Sequence, residues 1–235
     1  MNLLHRLVIH SLDNNEYPTS LYKHNRLKDV SIDWEDLVQH YALPEEFMAR
    51  HLDLLDSSYL SSQQTLSYSF MDRYAAGLNW CYISTYQKLS EEFIEKHLEL
   101  VDWWGLSTHQ ILTEAFIEKH SDLVDWFAIL AYQKLSEEFI EKYSAKLNWD
   151  SISAYQNLSE PFMTKYADKV WWHKVSIHQK LSEEFMEKHS HRVDWWVISQ
   201  HQNLSPPFIA KYKDLLDMPN FHRKTQSPSK LVRHK

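Results

Sequence analysis

Residues 89–110 read L-S-E-E-F-I-E-K-H-L-E-L-V-D-W-W-G-L-S-T-H-Q, and close copies of this stretch recur along the chain. Trp103 belongs to a column with a period of 23 residues that also holds Trp34, Trp80, Trp126, Trp149, Trp172 and Trp195, interrupted only by Ser57. Phe93 belongs to a second column in phase with it (Phe47, Phe70, Phe116, Phe139, Phe162, Phe185, Phe208), and Leu89 to a third, from Leu43 to Leu204. Three columns in phase are the signature of a tandem array, in which each unit buries its apolar face against its neighbours.

Each unit carries two helix-start signals. Ser or Thr follows the column leucine in seven units (Ser67, Ser90, Thr113, Ser136, Ser159, Ser182, Ser205), with Pro44 as the exception. Such side chains accept from the free N–H groups at a helix start. With Ser90 as cap, Leu89 and Ile94 take the positions of a hydrophobic staple, and Glu91 and Glu92 sit at the positive end of the helix dipole. Helix A is therefore expected from Glu91 to about Leu98, with Glu92 and Lys96 at a favourable i, i+4 spacing.

Asp or Asn precedes the column tryptophan at Asp33, Asp102, Asp125, Asn79, Asn148 and Asp194, and Asp56 precedes Ser57; Trp171 is the departure. Val101 and Leu106 repeat the staple, so helix B is expected from Trp103 to about Gln110. Helices of two turns are marginal alone and depend on packing between units. The expected fold is all-α: a solenoid of two-helix, 23-residue repeats over residues 32–217. Residues 1–31 match the pattern poorly and are assigned to an N-terminal cap, and residues 218–235 to a disordered basic tail.

Units of the form L-S-E-E-F-I-E-K-(H/Y), then (V/L)-(D/N)-W, then I-S-x-(Y/H)-Q resemble short tandem repeats of large DNA viruses and bacteriophages. The match covers most of residues 43–209. The resemblance implies helical repeats and a viral origin, and carries no single activity.

Composition bounds the function. The chain has 235 residues, 43% of them hydrophobic, and a net charge of −7. Residues 220–235 hold five basic side chains and no acid, which leaves −12 on the rest. One cysteine, Cys81, excludes an intramolecular disulfide and is expected to be a buried thiol. With no signal-peptide core and no long apolar run, a cytoplasmic, non-membrane protein is expected. Two glycines are too few for a phosphate-cradling loop or a nucleophile elbow. The fifteen histidines fall largely into repeat columns (His51, His97, His120, His189; His40, His109, His178, His201), which reads as structural. No catalytic residue, metal site or cofactor is expected.

The informative residues are those the repeat leaves variable. One and five places after the column tryptophan stand Trp104 and Thr108, Phe127 and Ala131, His173 and Ile177, Trp196 and Gln200. Large aromatics at Trp104, Phe127 and Trp196 either thicken the core or mark a partner surface. The expectation is a non-catalytic scaffold binding a protein, a host factor if the origin is viral, through Trp104, Thr108, Phe127, His173, Trp196 and Gln200. Nucleic acid is the alternative, through a basic column of Lys96, Lys119, Lys142, Lys165, Lys188 and Lys211, although the acidic body opposes phosphate. Sequestration of a small nucleotide-like ligand between aromatic rings is the third possibility.

Overall fold

The computed structural model describes residues 34–216, and every regular element there is helical. The assignments to residues 1–31 and 218–235, and the capping role of Asp33, lie outside the described residues. The described chain divides at Asp125 and Trp126 into two compact units. In the first, the B helices are α1 (Trp34–His40), α3 (Ser57–Gln63), α5 (Trp80–Tyr86) and α7 (Trp103–His109). Its A helices are α2 (Glu45–Arg50), α4 (Tyr68–Arg73), α6 (Glu91–Lys96) and α8 (Glu114–Lys119). In the second, the B helices are α9 (Trp126–Tyr132), α11 (Trp149–Tyr155), α13 (Trp172–His178) and α15 (Trp195–His201). Its A helices are α10 (Glu137–Tyr143), α12 (Glu160–Lys165), α14 (Glu183–Lys188) and α16 (Pro206–Lys211), and a last turn, α17 (Lys213–Leu216), follows. This is the all-α solenoid of two-helix repeats that the three columns imply.

The caps fall where the polar columns place them. All seven Ser/Thr side chains before the A helices accept from the N–H three residues on. Asp56, Asn79, Asp102, Asn148 and Asp194 do the same for B helices. Pro44 and Trp171 contribute no side-chain bond. Each such cap is worth about 1 kcal/mol. Most A helices stop at Lys96 and its equivalents, sooner than the sequence suggests. The chain leaves the helix at His97, whose N–H bonds back to the Ile94 carbonyl.

The staple positions form the driest part of the core. Met48, Met71, Ile94 and Ile117 on A helices and Leu60, Ile83 and Leu106 on B helices are fully buried in the first unit, as are Ile129, Ile140, Ile152, Met163, Val175, Met186 and Ile198 in the second. The column tryptophan lies at the margin of that core. The Trp80 ring stands 6.3 Å from Phe93 and 4.9 Å from His97 on the A helix that follows, and its indole N–H donates to the Ala75 carbonyl at 2.9 Å. The same ring triad recurs as Trp103, Phe116 and His120, and as Trp149, Phe162 and Tyr166. His and Tyr interchange in it because either offers a flat ring with a polar tip.

A polar ladder joins successive repeats. The Gln87 side chain is buried; its Oε1 accepts from Leu66 N–H at 3.1 Å, and its Nε2 donates to the carbonyls of Ser61 and Gln64 at 2.9 and 2.7 Å. Gln64 and Gln110 do this in the first unit, Gln156, Gln179 and Gln202 in the second. One glutamine thus satisfies three main-chain groups, a carbonyl in the last turn of a B helix and two groups in the loops that follow B helices, that would otherwise be buried and unpaired. The buried serines Ser61, Ser84 and Ser107, and Ser153 and Ser176, accept from the backbone N–H of the next repeat's cap residue. At the outer edge, the first residue of an A helix does likewise: the Glu91 carboxylate accepts from the N–H and hydroxyl of Thr113.

Candidate interaction surface

Helix B is amphipathic in a fixed frame. Its first residue packs over the next A helix, its fourth and fifth (Leu106 and Ser107 in α7) point into the core, and its second, sixth and seventh are left toward the outside. Trp104, Phe127 and Trp196 hold the second position and are 54%, 62% and 44% exposed. Cys81 holds it too and is exposed, which corrects its expected burial: the outward register of the helix decides, not the residue type. The histidine column of His40, His109, His178 and His201 is regular yet solvent-facing, so periodicity there does not mean a place in the core.

In the first unit, Thr108 lies half-buried beside Trp104 and donates its hydroxyl to the Trp104 carbonyl at 2.8 Å. Gly105 sets the spacing beneath them. A Cβ there would meet Thr85 Oγ1 at 2.8 Å and the Ser84 Cβ at 3.2 Å, so α5 and α7 approach closely because this position has no side chain. In the second unit, the Phe127 ring stands edge-on to Tyr155 at 6.4 Å. His173 is turned inward: its Nδ1 lies 2.7 Å from an oxygen of the buried Asp194 carboxylate, so it serves the next repeat's cap. Gln200 is exposed on the same helix as Trp196. Asp150 Oδ1 is buried with no hydrogen-bond partner, 21 residues before Trp171, the separation at which His173 meets Asp194. There the polar cap on the far side is replaced by an indole.

The lysine column forms ion pairs between repeats at Lys96, Lys119, Lys165 and Lys211. Lys96 Nζ lies 2.6 Å from Asp72, Lys119 2.6 Å from Glu95 and Lys211 2.7 Å from Glu187, and Lys165 pairs with Glu141. The expected i, i+4 pairing within a helix gives way to pairing 24 residues apart, because the lysine closes a six-residue helix beside the preceding A helix. His97 and His120 share the same carboxylates, at 2.7 and 2.8 Å. Asp72 is held below the usual carboxyl range by Lys96 and then His97, and Glu95 by Lys119 and then His120. Among the described residues, no group of three His, Cys, Asp or Glu side chains is placed to hold a metal ion. No helix there is long and apolar enough to cross a membrane.

The sequence reading missed Tyr82 and Tyr86 in the first unit and Tyr132 and Tyr155 in the second. All four are exposed on B helices. A signal for them was present: residues 57–64, 80–87 and 103–110 contain no Asp, Glu, Lys or Arg, a charge-free run that a protein surface seldom shows without cause. No protein-family model, curated protein or solved structure matches the chain.

Proposed function

We propose that the chain is a non-catalytic helical-repeat scaffold that binds another protein through the outward faces of its B helices. The observation that carries this reading is a division of labour among side chains. Residues fixed by the repeat are taken up in caps, staples, ring triads and the glutamine ladder, whereas Trp104, Phe127 and Trp196, at a position the repeat leaves variable, stand exposed. Exposed aromatics supply large contact area at low entropic cost. The ion pairing of Lys96, Lys119, Lys165 and Lys211 argues against a phosphate backbone as the ligand. The resemblance to viral repeats extends the proposal to a host protein as partner.

The test is capture of proteins by the full chain, with nuclease treatment, beside two double variants. Trp104→Ala with Trp196→Ala should abolish capture while preserving the helical spectrum. Lys119→Ala with Lys142→Ala should leave it intact. Capture that survives the first, fails with the second and falls steeply with salt assigns the chain to nucleic acid instead.

A further inference from the structure

Resting on that reading of the B face, we propose that Asp150 on α11 receives an arginine side chain of the protein partner, flanked by Phe127, Tyr155 and Trp171. Two other repeats show what the second position of a B helix does. Ser58 Oγ accepts from Asn79 Nδ2 at 3.3 Å, and His173 Nδ1 lies 2.7 Å from Asp194 Oδ2, so each engages the cap residue of the next repeat. Asp150 stands in that register against Trp171, whose side chain makes no cap bond. Its Oδ1 is shielded from water, and no hydrogen bond reaches it from any described residue. A carboxylate held partly out of water without a partner is costly, and a cation removes that cost. The residue as a whole is only half-buried, so a ligand can approach it from outside.

The rings around it select in the same direction. Tyr155 is the seventh residue of α11, and the second and seventh positions of a B helix share a side, as Trp104 and His109 do at 6.2 Å. Phe127, second on α9, meets Tyr155 edge-on at 6.4 Å. Both rings are exposed, and so is Trp171 at the cap register. Exposed rings alone would fit many ligands; the carboxylate makes the choice. Ring faces attract cations, an anion would be repelled, and a neutral side chain would leave the charge uncompensated. Guanidinium suits the site better than ammonium, because its plane stacks on rings while its forked N–H donors reach a carboxylate. The net charge of −7 favours a basic partner as well.

The experiment titrates N-acetyl-arginine methylamide, and N-acetyl-glutamine methylamide as its uncharged counterpart, into the full isotope-labelled chain. The tryptophan indole N–H resonances are followed, with that of Trp171 assigned through Trp171→Phe. Expected is a saturable shift of the Trp171 resonance with the arginine probe only, at a Kd on the order of 10 mM. Asp150→Asn should weaken it roughly tenfold or more, weaken protein capture, and leave the urea midpoint unchanged or raised, since an unpaired charge is gone. Tyr155→Ala, at an exposed position, should weaken the probe severalfold and decides the matter if Asp150→Asn unfolds. The proposal is overturned by equal binding of the two probes, by absence of saturation, or by variants that bind like the parent. A lower midpoint for Asp150→Asn with binding retained overturns it too, and assigns the carboxylate to the start of α13. Equal shifts with tetramethylammonium reassign the site to a small quaternary cation. If the probe fails but protein capture is still lost in the Trp104 and Trp196 variant, only this site is wrong; if capture is indifferent to those residues, the scaffold reading falls with it.

Discussion

The repeat that begins helix B at Ser57 and its neighbour that begins at Trp80 share one polar framework and differ in their aromatic one. Gln64 and Gln87 make the same three main-chain bonds. Asp56 and Asn79 both cap, and Leu60 and Ile83 are both fully buried. Over the next A helix, however, Phe93 and His97 lie under Trp80, whereas Phe70 and Tyr74 pack on each other at 4.7 Å with Ser57 in the tryptophan position. The cap, the buried apolar residue and the glutamine ladder therefore suffice to set the register of a repeat without the tryptophan. The tryptophan supplies apolar burial on top of these, and the Ser57 repeat is expected to open first in a stack limited by its nearest-neighbour interfaces.

Making the two repeats alike should have the largest effect. Trp80→Ser is expected to cost about 3 to 5 kcal/mol, the range for removing a large aromatic from a packed site, read as a lower urea midpoint. Ser57→Trp should move the midpoint the other way, and no gain from it would mean that the ring has no room over Phe70. Gln87→Leu attacks what the repeats share. It strands the Leu66 N–H and the carbonyls of Ser61 and Gln64, and at about 1 to 3 kcal/mol for a buried group left unsatisfied it should cost about 3 kcal/mol. A midpoint within error of the parent would show that water can replace the ladder.

The smallest effect is that of pH, and it works on contacts between A helices. Burial lowers the pKa of His189, and of His51, so the neutral ring is favoured on folding. That contribution is complete above the unfolded value of 6.5 and is lost as pH falls through the lower folded value. Asp72 and Glu95 are likewise depressed, so their contribution is present above the ordinary carboxyl values of 3.8 and 4.5 and lost on further acidification. The melting temperature should fall in two stages below neutrality, and a rise between pH 7 and 5 would contradict the sign.

Much of this was legible from residue types and spacing because caps and staples are local: Ser90 with Phe93, or Leu89 with Ile94, needs only a few residues of context. The glutamine column was visible but unexplained, since a bond from Gln110 to Leu89 N–H and to the carbonyls of Ser84 and Gln87 spans 21 to 26 residues and has no local signature. The lysine pairing failed for the same reason: Lys96 finds Asp72 in another repeat, not Glu92 in its own helix. Of the candidate site residues, Trp104, Phe127 and Trp196 stand exposed, whereas the inward turn of His173 depends on Asp194 in the following repeat, which a single unit's pattern does not encode.

Trp103 and Trp104 are adjacent in sequence and opposite in role. Trp103 stacks 6.3 Å from Phe116 and 5.2 Å from His120, and Trp104 is the exposed residue. The most direct measurement is the urea midpoint of Trp103→Ala and of Trp104→Ala, taken with protein capture by the full chain. Trp103→Ala should cost about 3 kcal/mol or more. Trp104→Ala should stay within about 0.5 kcal/mol of the parent, as an exposed substitution does, and weaken binding. Equal destabilisation by both, or binding indifferent to Trp104, would contradict the separation of scaffold from surface.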